Sequence, residues 1–310
     1  MLVKITENIY KLIVHFPTGM KEANCYLIKG DKGYTVIDTG TNSKEAKESW
    51  EKVLADGLVV EKVVLTHTHE DHIGLARWFK EDVGVPVYVS DLGYHEMRKF
   101  RDTDVREKRK TLVLSHGGPE ITKKGKDASF IYDFEPDGLF TKGDKLKLGE
   151  DFYEAIWTPG HAPDHFCFYN KEQRLILIGD HILKHISPVI GLWSGEEGNP
   201  LGNYFSSLNE LTTYPIELAL PGHGEIIENL QERIENLKER HEQRLAEVLE
   251  AINNEWKTAE QLCKEMYGTL NIILNFSAFM ASLTRLLYLE SIGKAKRKEV
   301  NGIIKFKQVY

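Results

Sequence analysis

The chain has 310 residues, 41% of them hydrophobic and 28% charged, and a formal net charge of −7, the balance of a globular protein with a sizeable core, long enough for one large domain and a smaller one. That balance argues against a surface given over wholly to nucleic acid. No run of about 18 apolar residues suits a membrane span, and no N-terminal basic, apolar and small-residue sequence suits export, so a cytoplasmic setting without a membrane partner is expected.

The opening half reads as short β runs. Ile9–Val14, Cys25–Ile28 and Tyr34–Ile37 are strands, with Gly30 and Gly33 bracketing a hairpin turn. Ser43 caps a helix carrying Trp50 and Val53. The apolar run 62–65 leads into His67, a helix is expected from about Asp71 to Asp82, and Val85–Val89 is the next strand. Strand and helix alternate, so this half is α/β. From about 91 to 142 the chain is rich in charge and glycine and reads as a helical insertion with a long loop. Strands return at 145–148, 152–157, 165–169, 175–178 and 217–220, with a helix near Tyr204–Leu211.

From Asn229 the pattern changes. Ile234, Leu237, His241, Leu245, Val248 and Ile252 fall at helical spacing. Thr258 opens a second helix and Ala278–Ile292 forms a third, stopped by Gly293. Ile303, Ile304 and Phe306 make a small hairpin about Gly302. Three helices and a two-stranded ribbon are the outline of a winged helix. The expected domains are therefore 1–228, with the insertion inside it, and 229–310. Cys25, Cys167 and Cys263, widely spaced and odd in number, fit neither a disulfide framework nor a cysteine-rich zinc site.

The densest chemistry lies in His67-Thr68-His69-Glu70-Asp71-His72, three imidazoles and two carboxylates directly after an apolar strand. Such a segment presents several nitrogen and oxygen donors from one loop, as a metal at a sheet edge requires. Neutral imidazole with carboxylate favours zinc among divalent ions, ahead of iron or manganese. His161, Asp180 and His223 each follow a glycine at the end of an apolar strand, where a sharp backbone turn aims the next residue across the sheet edge.

In order and spacing, His67, His69, Asp71, His72, His161, Asp180 and His223, with Asp38 upstream, resemble the metallo-β-lactamase superfamily over roughly the first 228 residues. The resemblance implies an αββα sandwich with two metal ions at one edge. It implies that His67, His69 and His161 hold the first ion, that Asp71, His72 and His223 hold the second, and that Asp180 bridges them, with Asp38 orienting ligand imidazoles. A hydroxide between the ions would be the nucleophile, and Asp71 or a nearby histidine would protonate the leaving group. The C-terminal extension resembles that of the lactamase-β-2-like branch of hydrolases, which includes an endoribonuclease acting on single-stranded RNA. The segments carrying this finer likeness are Thr158–Asp164, Pro221–Ile226, His241–Arg244 and Thr258–Leu262.

Three functions are expected in consequence. The first is a zinc-dependent hydrolase of a small anionic or acyl substrate, an ester, thioester or lactone. The second is an endoribonuclease on single-stranded RNA, and the third a nucleic-acid-binding regulator whose metal site is incidental. Local charge of +4 over His95–Asp127 and +5 over Lys294–Tyr310 opposes the overall −7 and would suit an anionic substrate, or would merely be solvated faces. Tyr204 is a candidate to polarise a carbonyl, with a core tyrosine as the plainer reading. The six histidines at 15, 95, 116, 181, 185 and 241 have no place in the motif, and the long helix leaves an exposed face suited to a homodimer.

Overall fold

Side-chain alternation along the strands sets the layering, since neighbouring residues of a strand face opposite sides of its sheet. The computed structural model describes residues 2–17, 19–101, 104–120, 128–268 and 272–309. One sheet runs in chain order through β1 (Leu2–Lys4), β2 (Ile9–His15), β3 (Glu22–Lys29), β4 (Tyr34–Ile37), β5 (Val60–Val64), β6 (Val87–Ser90) and β7 (Gly138–Phe140). It is antiparallel up to β4 and parallel from β4 onward. The other is built from β8 (Lys145–Leu148), β9 (Asp151–Trp157), β10 (Phe166–Asn170), β11 (Leu175–Gly179) and β12 (Leu218–Pro221), with only β11 and β12 parallel.

Tyr26 and Ile28 of β3 pack between the sheets with Phe166, Phe168, Leu175 and Leu177. Their neighbours Cys25 and Leu27 face outward onto Trp50 of α1 (Lys44–Ala55) and onto Phe79. On the far side, Cys167, Tyr169, Ile176 and Ile178 meet α6 (Pro200–Leu211), α7 (Leu230–Ala251) and α9 (Ile272–Ser291) through Tyr204, Leu208, Leu237, Leu245 and Leu283. Helices thus cover both outer faces of a two-sheet sandwich. Between α7 and α9 lies α8 (Ala259–Tyr267), whose Thr258 hydroxyl accepts from Gln261 N while the Gln261 side chain accepts from Thr258 N. The chain ends in the hairpin β13 (Ala295–Val300) and β14 (Ile303–Gln308). No described helix is long and apolar enough to cross a membrane.

The elements depart from expectation in the helix after His69 and at the start of α9, which begins at Ile272 rather than Ala278. The single helix expected over 71–82 is instead α2 (Glu70–Ile73), α3 (Ala76–Trp78) and a wider turn over Phe79–Val83. Tertiary hydrogen bonds break it. Thr39 N–H and its hydroxyl both donate to the His72 carbonyl at 2.8 and 2.7 Å, and Leu75 N–H donates to the Thr39 hydroxyl at 3.1 Å. The helical partners of those groups are therefore taken. The insertion is helical as expected, with α4 (Asp91–Arg101) and α5 (Asp104–Ser115) and a short turn at Ser129–Tyr132, and it adds the edge strand β7.

Candidate metal centre

Strands of both sheets end along one edge, and the polar side chains of the motif stand there. After β5, Thr66 N–H and its hydroxyl donate to Asp38 Oδ1 and Oδ2, both at 2.8 Å. His72 Nδ1–H donates to the same Oδ2 at 2.9 Å. Asp38 ends β4 with φ of 62°, a left-handed backbone that an aspartate tolerates better than most residues. The Thr66 oxygen, its proton given away, accepts from His67 Nδ1–H at 2.9 Å. His161 Nδ1–H donates to the Val189 carbonyl at 2.9 Å, and His223 Nδ1–H to that of Glu22. With each Nδ1 committed, all four rings present Nε2 to a common centre.

Nε2 of His67, His72, His161 and His223 and Oδ1 of Asp180 are buried without a hydrogen-bond partner. Each such orphan costs about 1–3 kcal/mol, so five in one place signal a missing binding partner. Three sets of donor atoms lie within 4.8 Å of one another: His67, His69 and His161; His67, His72 and Asp180; Asp71, His72 and His223. Asp180 lies between them, 3.3 Å from His72 Nε2, 3.3 Å from His223 Nε2 and 3.6 Å from His161 Nε2. Donors held tetrahedrally about 2.1 Å from an ion stand about 3.4 Å apart. The donor set therefore fits divalent cations.

Electrostatics agree. Burial lowers the His67 and His161 imidazoles and brings His69 down to about 3, so these rings stay neutral and ready to ligate. For His72 and His223 burial acts the same way, but the Asp180 carboxylate outweighs it, helped by Asp38 and Asp71 respectively. His72 is raised and His223 reaches about 10. Asp71 and Asp180 are correspondingly lowered despite burial, held by those imidazolium neighbours.

The structure brings together all seven candidates, His67, His69, Asp71, His72, His161, Asp180 and His223. Tyr204 stands apart. Its hydroxyl donates to the His181 carbonyl at 3.0 Å in the core, and burial pushes it up, so it is the plain core tyrosine. His185 pairs with Glu225 at the surface and His116 with the Leu112 carbonyl. His181 and His241 are buried with both ring nitrogens unpartnered.

Two supporting residues carry no mark in the motif. Asp164 Oδ2 accepts from Thr68 N–H and the Thr68 hydroxyl at 2.9 and 2.8 Å, clamping the loop between His67 and His69. His165 Nε2 accepts from Asp180 N–H at 3.1 Å, and its Nδ1–H donates to the Thr158 hydroxyl at 2.8 Å, which orients the peptide that carries Asp180. Their sequence signal is closeness to His161 in a run of ligand-type residues, with Asp164 also in the family-like segment Thr158–Asp164. Gly222 serves by its size: a Cβ there would strike Asp180 Oδ1 and His72 Cε1.

Part of the charge in the two basic segments is paired within the protein, while Lys294, Lys296, Lys305 and Lys307 make no ion pair among the described residues. Lys99 pairs with Glu96 and Glu196, Lys108 with Glu196, Arg101 with Glu135, and Arg297 with Glu290 and Glu197. Lys298 lies over the Trp256 ring. Lys123, Lys124, Lys126, Asp102 and Asp127, counted with the first segment, lie outside the described residues.

Comparison with known proteins places this geometry. Residues 19–223 match the family model described as the metallo-beta-lactamase superfamily. The probable metallo-hydrolase YqjP of Bacillus subtilis is 31% identical over 276 residues, covering 84% of this chain and 86% of that protein. An atrochrysone carboxyl ACP thioesterase of Aspergillus fumigatus is 27% identical over 76% of this chain, which spans only 61% of that protein. Among solved structures, a metallo-beta-lactamase family protein from Thermus thermophilus superposes with a TM-score of 0.86 at 29% identity, covering 98% of this chain and 99% of that one. A beta-lactamase domain protein from Burkholderia ambifaria gives 0.89 at 25% identity, covering 99% and 93%. Both superpositions take in the C-terminal helices and hairpin as well as the sandwich. With the matched span covering more than half its length, the chain belongs to the metallo-beta-lactamase superfamily.

Proposed function

We propose that the chain hydrolyses a small acyl substrate at a pair of divalent ions, with a thioester the favoured class and an ester or lactone the close variants. One observation carries this reading: the convergence of five buried, partnerless donor atoms on one sheet edge. His67, His69 and His161 would hold one ion, Asp71, His72 and His223 the other, and Asp180 would reach both. The nitrogen-rich first set favours zinc over iron or manganese. Cations so held supply Lewis acidity and ionise water near neutral pH. The chain's own side chains do the rest. Asp38, Val189 and Glu22 keep each Nε2 aimed inward. Asp71, whose side chain is 30% exposed against 8% for Asp180, is the carboxylate able to take the proton of the attacking water and return it to the leaving group. The thioesterase among the relatives supports the substrate class.

A second reading is cleavage of single-stranded RNA. The helix, helix, helix, hairpin order of α7–α9 and β13–β14, taken as a winged helix, favours it. The engagement of Arg297 and Lys298 within the protein weighs against it.

The test is turnover of the metal-loaded protein on a panel of acyl thioesters, lactones and 5′-labelled single-stranded RNA. Asp180→Asn and His161→Ala should lower kcat/KM by about a thousandfold or more while the fold persists by circular dichroism. Undiminished turnover in both variants would end the dinuclear reading. RNA cleavage with every thioester untouched would put the second reading in its place.

A further inference from the structure

Beside the metal centre lies a cavity of about 210 Å³, between residues 186–190 and helices α7, α8 and α9. Arg240, His241 and Arg244 face it from α7, Tyr267 from α8 and Arg285 from α9. No acidic side chain lines it. Arg240 is exposed and makes no ion pair among the described residues. Arg285 Nη1 donates only to neutral oxygens, the Tyr267 hydroxyl at 2.7 Å and the Ala281 carbonyl at 3.1 Å, and its buried Nε has no partner. His241 is 5% exposed and both its ring nitrogens are unpartnered. Arg244 alone is paired, with Glu247 at 2.6 Å.

Cations gathered around unsatisfied buried donors are costly unless an anion completes them. The planar forks of the arginines suit a tetrahedral, multiply charged oxyanion, which accepts from several donors at once. The cavity also touches the metal-site wall. Val189 lines it and gives its carbonyl to His161 Nδ1–H, and Thr284 on α9 donates to the neighbouring Ile190 carbonyl at 3.3 Å. We propose that this cavity binds a phosphate or pyrophosphate group, and that in the acyl hydrolase proposed above it seats the phosphate end of a phosphopantetheine-type thioester. The placement in the substrate path rests on that reading; the binding of phosphate does not. A volume of about 210 Å³ suits the phosphate of a small molecule better than a nucleic-acid strand.

Two readouts separate the claims. ADP binding by isothermal titration, on wild type and Arg240→Gln with metal loaded, reads the cavity without turnover. We expect Arg240→Gln, a surface substitution that leaves the core untouched, to weaken ADP about 5- to 10-fold. Arg285→Gln should do the same. In turnover, the KM for an acyl-coenzyme A divided by that for the same acyl N-acetylcysteamine thioester, which carries no phosphate, should rise by a similar factor in both variants. No ADP binding to wild type at millimolar concentration, or equal binding by wild type and both variants, would overturn the site. Oligouridylate held far more tightly than ADP would overturn the small-molecule assignment. Loss of all thioester turnover with ADP binding intact would sink the hydrolase reading and leave the site standing.

Discussion

At Asp38 one carboxylate receives three donors: Thr66 N–H, the Thr66 hydroxyl and His72 Nδ1–H. The family resemblance implied that Asp38 orients ligand imidazoles, and the structure adds that it holds Thr66 as well as His72. Asp38→Asn keeps the shape but sets an amide NH₂ against at least one of these donors. We expect metal affinity to fall by about 10- to 100-fold, read by competition with a chromophoric chelator; unchanged affinity would remove Asp38 from the ligand support. Asp164 bears on pH. Burial raises its carboxyl from the usual 3.8 to about 7. A folded-state value above the unfolded one means that its stabilising contribution is complete below pH 3.8 and is lost as pH rises through 7. Asn at this position offers the same acceptor to Thr68 without the charge. Wild type should therefore lose melting temperature relative to Asp164→Asn between about pH 4 and 7, and parallel profiles would contradict the raised carboxyl.

Strand ends place the ligands, and the backbone just beyond each strand decides how well they meet. Gly179 adopts a left-handed φ of 50° just before Asp180, the turn that its glycine suggested. Gly222 is different: its φ is not left-handed, and the position demands instead the absence of a side chain against Asp180 and His72. Gly222→Ala should lower bound metal well below that of wild type by elemental analysis, while a native content would mean that the backbone yields easily there. Helix caps were legible because they are local: Ser43 accepts from Ala46 N at 3.2 Å and Thr258 completes a capping box. The broken helix after His69 was not legible, because Thr39, over thirty residues earlier, takes the hydrogen bonds that would have continued it.

Across the whole molecule, the largest core runs without a break from Ile156 in β9 through α6, α7, α8 and α9 to Phe306 in β14. The change of pattern at Asn229 marks a change of element type, yet the apolar contacts continue across it. Leu237, Leu245 and Leu283 lie on the outer face of the second sheet, the sheet that delivers His161, Asp180 and His223. A chain stopped at residue 228 should lose the cooperative thermal transition of the full protein, because the outer face of that sheet would open to water. Leu283→Ala should cost about 2–5 kcal/mol in denaturant unfolding as one transition; two separate transitions would show that the C-terminal helices fold on their own.

The sequence by itself determined the α/β character, the strand ends, the helix caps and the identity of the donor residues, since each is written in side-chain period or in a short run of residue types. Tertiary structure alone decided which of those donors stand within reach of one another, that Asp164 and His165 help to hold them in place, and that three arginines line a second cavity beside them. Those are contacts between residues far apart along the chain, and only burial makes an unpartnered nitrogen or an unpaired guanidinium costly enough to point to a missing ligand.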